Sequence, residues 1–517
     1  MTQAISPSPQ HPGGEAAPPE HVDVLVVGAG ISGIGAGCRL STESPGRTFA
    51  ILESRDAIGG TWDLFRYPGV RSDSDMYTLG YRFRPWTGQK AIADGWSIRQ
   101  YVQDTAREYG ITDRIRFHHR VVSAEWSSDE ARWTVTAERS DTGETVVLTC
   151  SWLAACAGYY RYDQGFRPTF PGEEEFAGTF VHPQAWPEDL DYTGKRVVVI
   201  GSGATAVTLV PAMTDQAAHV TMLQRTPSYI VSLPEEDPLA QRLRSRVSAK
   251  AAYPVVRAKN LLMSTVMYQL SRRRPELMKA LVRKGQVAVL PAGYDVDTHF
   301  TPPYEPWDQR LCLVPDGDLF TALSSGKASV VTDRITRFTA DGILLESGEE
   351  LPADIVVTAT GLAVQPVGGM RLTVDGEEVD LSTTVSYKGM MLSGVPNFDM
   401  VFGYTNASWT LKADLVNRYM CRVLNHMAAK GYDVALPVAP PEGPAAPFLD
   451  LTSGYVQRSL AGLPKQGGRA PWRLNQNYFA DLRLLRLTRV DDEGIRFSRR
   501  GAGRAAAGRR AATTAAA

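Results

Sequence analysis

The chain has 517 residues, 43% apolar and 21% charged, with a formal net charge of −1. This is an ordinary globular composition, too long for one core, so two or three domains are expected. The near-zero charge excludes a general attraction to nucleic acid, and no apolar run reaches the ~20 residues of a membrane span. The N-terminus lacks the basic-then-apolar layout of a secretion signal, which points to the cytoplasm.

In chain order, residues 1–20 are rich in Pro, Gly and Ala and are expected to be disordered. The apolar run Val22–Val27 reads as a buried parallel strand. It feeds a glycine loop, Gly28-Ala-Gly30-Ile-Ser32-Gly33, and Glu53 closes the next strand. Such a loop makes a tight turn, lets a pyrophosphate approach the backbone, and packs helix on strand. Strand-like segments follow at Ile115–Trp126, Arg132–Glu138 and Thr145–Cys156, the last ending in Ala157-Gly158. A second loop, Gly201-Ser202-Gly203-Ala204-Thr205-Ala206, runs off Arg196–Ile200, and Arg225 closes its next strand. Glycine to charge spans 25 residues in the first case (28 to 53) and 24 in the second (201 to 225). A carboxylate accepts hydrogen bonds from ribose hydroxyls, whereas arginine pairs with a 2′-phosphate. The pattern predicts two different dinucleotides, one without that phosphate and one with it. Further strands are expected at Ala328–Thr332, Ile343–Leu345 and Ile355–Val357, the last running into Ala359-Thr360-Gly361.

The five cysteines, Cys38, Cys150, Cys156, Cys312 and Cys421, are scattered and contain no Cys-x-x-Cys. No metal site is expected, and the absence argues against flavoproteins that reduce disulfides, which need a redox pair near the flavin. Residues 233–300 read as an inserted helical subdomain. From Arg242 to Lys284 it holds twelve Lys/Arg and one acidic residue, Glu276. Two readings stand: solvated helix faces, the plainer one, or weak peripheral contact with an anionic membrane surface, since Leu261–Leu270 places apolar residues among the charges. The tail, 499–517, is basic and of low complexity, and is expected to be disordered.

Two further strings are too dense in chemistry for packing segments. Gly59-Gly60-Thr61-Trp62-Asp63-Leu64-Phe-Arg-Tyr67 continues to Arg71-Ser72-Asp73 and suits a loop wrapped around a planar ligand. Phe176-x-Gly178-x-x-x-His182-x-x-x-Trp186-Pro187 lies just before the second glycine loop. This second string resembles, at every fixed position, the identifying sequence of the Baeyer–Villiger monooxygenases. The resemblance runs from about residue 21 to 498. Within the family the chain is most similar to the mycobacterial monooxygenases that activate thioamide prodrugs, through GGTWDLFRYPG, SDSDMYTLGYRFRPW, IGSGATAVTLVPA, EPWDQRLCLVP and GYTNASWTLKADL.

The resemblance implies an α/β fold of two Rossmann-like dinucleotide-binding domains, for FAD and NADP, with a helical insertion. Residues 21–160 and 366–498 would form the FAD domain, and 161–232 with 301–365 the NADP domain. It implies that Gly28, Gly30, Ser32 and Gly33 hold the FAD pyrophosphate and Glu53 its ribose. Thr61, Trp62, Asp63 and Leu64 would line the flavin, and Val121 would meet the adenine through its backbone. Arg71, Ser72 and Asp73 would lie where flavin and nicotinamide meet. Gly201, Ser202, Gly203, Ala204, Thr205, Ala206 and Val207 would take the NADP pyrophosphate, and Arg225 with Thr226 the 2′-phosphate. Arg310, in Asp-Gln-Arg-Leu-Cys, matches the family's active-site arginine, with Asp73 as the carboxylate that holds it. Many members carry lysine just before that arginine, where this chain has Gln309, which implies a weaker NADPH preference.

The activity so implied consumes NADPH and O2 and, through a flavin C4a-peroxide, converts a ketone to an ester, with sulfur oxygenation of thioethers or thioamides as a second activity. A flavin monooxygenase confined to nitrogen and sulfur, and a flavin-binding redox sensor without turnover, are the alternatives. The helical insert, Asn406–Trp409 and Gly454–Trp472 are expected to line the substrate pocket. Oligomeric state stays open.

Overall fold

The computed structural model describes residues 18–449 and 451–501. Most of the segments expected to be disordered, 1–17 and 502–517, lie outside the described residues. The margins of those segments are ordered. The first strand starts at Glu20, whose carboxylate pairs with Arg116 at 2.5 Å. At the other end, Arg500 donates its backbone N–H to Asp433 and its Nε to the Asp129 carbonyl.

Two sheets carry the fold. In the larger, nine-stranded sheet, strand Glu20–Val27 lies between Phe49–Leu52 and Thr145–Ala155, parallel to both. The middle of this group, Val24 to Val26, is fully buried, as its unbroken aliphatic run requires. The expected strand Ile115–Trp126 is two strands. His118 takes a left-handed φ of 63° and separates Ile115–Arg116, which extends the parallel group, from His119–Ser127, which pairs antiparallel with Arg132–Arg139. Apolar content alone could not reveal the break, because both pieces are partly buried. Late segments return to this sheet: Arg371–Val374 joins His119–Ser127, and Phe398–Met400 joins the end of Thr145–Ala155.

The smaller sheet has five strands, all parallel. Its order is Ala328–Thr332, His219–Gln224, Arg196–Ile200, Ile355–Thr358 and Thr179–Val181. The expected strand at Ile343–Leu345 forms, as Gly342–Leu345, in a separate three-stranded antiparallel sheet. The 233–300 insert is helical, with Pro238–Arg244, Ala249–Arg273, Pro275–Val289 and Val296–Phe300. It docks through Arg257, whose guanidinium donates to the carbonyls of Tyr77 and Gly80, and through Tyr253, whose hydroxyl donates to the Tyr81 carbonyl. These contacts satisfy carbonyls at and just after the end of the short helix Met76–Leu79, which has no further turn to donate N–H groups to them.

Candidate active site

The same construction appears twice at the facing ends of the two sheets. Gly28 has φ 102°, and a Cβ on it would lie 2.8 Å from the Cys156 carbonyl oxygen. Gly201 has φ 133°, and a Cβ there would lie 2.4 Å from that of Ala359. In both sheets, then, the first glycine lets the loop pass against the end of the neighbouring strand, a conformation and a clearance that L side chains cannot share. Gly33 sits so close to its own loop that a Cβ would fall 1.8 Å from the Gly28 oxygen; its counterpart Ala206 tolerates a methyl and is fully buried.

Helices Ile31–Glu43 and Ala204–Met213 begin at Gly30 and Gly203, and neither has a side-chain cap. Their first N–H groups are therefore free for an anion. A Cβ on Gly203 would meet nothing within 4 Å, which is the open cradle a pyrophosphate requires. Both helix ends open into one cavity of about 1540 Å³. That exceeds the roughly 300–1,000 Å³ of a pocket for one drug-sized ligand, and so suits two dinucleotides.

Of the residues expected from the sequence, the cavity is lined by Gly28, Gly30, Ser32, Glu53, Thr61, Trp62, Val121, Arg71, Ser72 and Asp73 from the first half. From the second half it gains Gly201, Ser202, Gly203, Ala204, Thr205, Arg225, Thr226 and Arg310. Val121 borders a β-bulge against Arg132–Arg139, and an irregular ladder leaves backbone groups unpaired. Ser72 Oγ is buried without a protein partner. Glu53 is almost fully buried and accepts from the Ala29 and Arg55 backbone N–H groups at 2.7 and 3.0 Å. Ser54 Oγ also donates to Oε1 at 3.3 Å, so Oε2 is the oxygen that retains a lone pair for a ribose hydroxyl.

Gly33, Ala206 and Val207 face their strands instead. Leu64 and Asp63 also stay outside the cavity wall. Asp63 turns inward because three arginines converge on it: Arg55 at 2.7 Å, Arg99 at 2.9 Å and Arg66 at 3.0 Å. That cluster clamps the loop following Gly60. The family string lies behind the cavity. His182 accepts from the Gln184 backbone through Nδ1, its Nε2 is buried without a partner, and burial lowers its pKa below the ordinary histidine value. A Cβ on Gly165 would strike the ring at 2.0 Å, so the histidine supports the segment that hydrogen-bonds to Gly361.

At the centre, Arg310 Nε lies 2.8 Å from Asp73 Oδ2, with both side chains partly open to the cavity. Burial opposes the charge on Arg310, but the Asp73 carboxylate outweighs it and holds the guanidinium above its ordinary pKa. Arg71 pairs with Asp318 and so ties the first loop to the second sheet's helices. Sequence reasoning missed Tyr159 and Tyr160 in the other wall. Tyr159 and Tyr160 share a hydroxyl contact at 2.6 Å, and with Tyr455 they face Arg310. Burial raises all three phenols, so they stay protonated donors. Trp409 stacks on Tyr159, centroids 5.0 Å apart, and donates to Ser32 Oγ at 2.7 Å. Tyr159 and Tyr160 directly follow Gly158, and that adjacency was the available signal.

Arg334 was also missed. Asp333 donates its N–H to the Gln224 carbonyl, which sets Arg334 beside Arg225 at the ends of two paired strands. Both arginines are exposed on the cavity rim, and neither has an acidic partner among the described residues. The expectation for the pocket wall needs correction. No described residue of 233–300 lines the cavity, because the insert packs outward from Tyr77–Tyr81; from the other expected segments Ala407, Trp409, Gly454, Tyr455, Val456 and Arg458 do. All five cysteines are free and buried. Among the described residues no group of three or more His, Cys, Asp or Glu could hold a metal, and no helix is long and apolar enough to cross a membrane.

A sequence model described as flavin-binding monooxygenase-like matches residues 93–366, and one for an NAD(P)-binding Rossmann-like domain matches 26–86. The chain is 57% identical over 483 residues to the FAD-containing monooxygenase EthA of Mycobacterium tuberculosis H37Rv, covering 93% of this chain and 98% of that one. It is 52% identical over 485 residues to the putative FAD-containing monooxygenase MymA of the same strain, covering 93% of this chain and 98% of the relative. Among solved structures it is similar to an oxidized steroid monooxygenase bound to NADP, with a TM-score of 0.73 at 22% identity over 92% of this chain and 99% of that one. It is also similar to the cyclohexanone monooxygenase of Rhodococcus sp. Phi1 bound to NADP+, with a TM-score of 0.71 at 20% identity over 93% and 100%. At those identities the structural likeness speaks for the fold.

Proposed function

The chain belongs to the flavin-binding monooxygenase family, and on that premise we propose that it is a Baeyer–Villiger enzyme. The reaction takes a ketone, O2, NADPH and a proton to an ester, NADP+ and water. Residues 21–160 with 366–498 hold FAD on the larger sheet, and 161–232 with 301–365 hold NADPH on the smaller. The chemistry that FAD supplies when bound is acceptance of the NADPH hydride and activation of oxygen.

The chain's own residues do the rest. The free N–H groups after Gly30 and Gly203 bind the two pyrophosphates. Arg225 and Arg334 bind the 2′-phosphate, and Arg334 replaces the help that Gln309 cannot provide. Asp73 orients Arg310, and the arginine stabilises negative charge that develops on the ketone oxygen as oxygen is added. A preorganised donor of this kind is worth about 3–4 kcal/mol. Tyr159, Tyr160 and Tyr455 supply neutral donors to the same space, and Trp62, Phe402 and Trp409 exclude water from it.

One observation carries the reading: an arginine–carboxylate pair faces the cavity shared by two uncapped, glycine-started helices. Oxygenation of nitrogen or sulfur alone has no comparable need for a fixed cation. The test is NADPH oxidation with simple ketones followed by product analysis. An ester carrying one added oxygen supports the proposal, and sulfoxide from a thioether with no ester from several ketones overturns it.

A further inference from the structure

Nothing among the described residues covers an apolar surface of the helical insert. Among the described residues fifteen large apolar side chains are conspicuously exposed, and eleven of them fall between Leu233 and Val289, so the exposure is a property of this subdomain rather than of the protein. On helix Ala249–Arg273, Tyr253, Arg257 and Asn260 are buried against the first domain. Val255, Leu262 and Val266, seven and four residues apart, occupy the opposite face and are 53%, 57% and 52% exposed. Met263 and Met267 are also exposed, on the flank toward Val256 and Asn260, and Leu277, Leu281 and Val287 are exposed on the next helix. A helix that is apolar on two faces is normally covered on both. The substrate cavity does not account for the second face, because no insert residue lines it.

The charges of the same stretch of chain, 242–284, bear on what covers it. Arg242, Arg246, Lys250, Arg273, Arg274 and Lys284 are exposed and form no salt bridge among the described residues. The one acidic residue within this stretch, Glu276, is already held by Lys279. A second copy docking face to face would set like charges together, whereas an anionic lipid surface offers acyl chains to the apolar side chains and phosphates to the cations. We propose that helices Ala249–Arg273 and Pro275–Val289 form a peripheral docking surface for an anionic lipid bilayer. The inference is independent of which substrate the cavity oxygenates.

The experiment uses the full chain with FAD bound and flotation with vesicles of phosphatidylcholine alone or in equal parts with phosphatidylglycerol. The protein floats with the anionic vesicles, about tenfold less with the neutral ones, and is released by high salt. The combined variant L262S/M263S/V266S/M267S and, separately, R273E/R274E/K284E each lose about tenfold in vesicle binding while keeping bound FAD and the thermal midpoint. Failure to float with anionic vesicles, or equal flotation with neutral ones, overturns the proposal. So does light scattering in which the serine variant converts an oligomer to a monomer, since the face would then belong to a second copy.

Discussion

Arg310 and Asp73 form one ion pair at the cavity, and in the proposed reaction the carboxylate holds in place the guanidinium that meets the substrate. Arg310→Ala therefore leaves reduction of the flavin by NADPH intact and lowers ester formation by about 10²–10³-fold, measured by stopped-flow reduction beside product yield. Arg225→Ala and Arg334→Ala each raise the KM for NADPH by about tenfold, the cost of one charge-assisted contact to phosphate; the KM for NADH, which lacks that phosphate, stays unchanged. Away from the chemistry, Asp399 is fully buried and accepts from Trp152 Nε1 at 2.5 Å. Burial pushes its pKa from 3.8 up to about 7, so the folded protein holds a proton that the unfolded chain releases. Stability from this group is complete below the unfolded pKa and falls as pH rises toward 7, by about 1.4 kcal/mol per pH unit. Asp399→Asn removes that slope, which thermal melts across the same pH range report as a flatter curve.

At the scale of elements, the glycines of one loop have separable jobs. Gly201 needs its left-handed φ and its clearance from Ala359, whereas Gly203 has an ordinary φ of −81° and open space around it. Gly201→Ala should destabilise the fold by more than about 1 kcal/mol, because strain and collision act together. Gly203→Ala costs less than about 1 kcal/mol of stability yet sets a methyl where the NADPH pyrophosphate is proposed to lie. The expected signature is a near-wild-type melt with a steep loss of NADPH binding, read by titration.

At the scale of the whole molecule, the cavity exists because the two sheets present the same strand–loop–helix ends to each other. Arg71 and Asp318 tie one half to the other there. Asp318→Asn weakens it without touching the FAD loop. FAD affinity should hold while the rate of flavin reduction by NADPH falls, which separates alignment of the halves from cofactor binding.

The sequence by itself determined what depends on local backbone demands. Both glycine loops, the aliphatic strands before them, and Glu53 and Arg225 at their ends were legible because each is a short-range steric or electrostatic requirement. The helical character of the insert and its basic stretch were legible for the same reason. Only the tertiary structure decided which distant groups meet. Asp73 and Arg310 come from different halves of the chain, Tyr455 joins Tyr159 and Tyr160 across nearly three hundred residues, and Trp409 reaches back to Ser32. Asp63 read as a flavin contact until three arginines claimed it. Residue type and spacing cannot separate such outcomes, because a charged or aromatic side chain has the same local propensity whether it faces solvent, a cofactor or a buried partner. Long-range packing makes that choice.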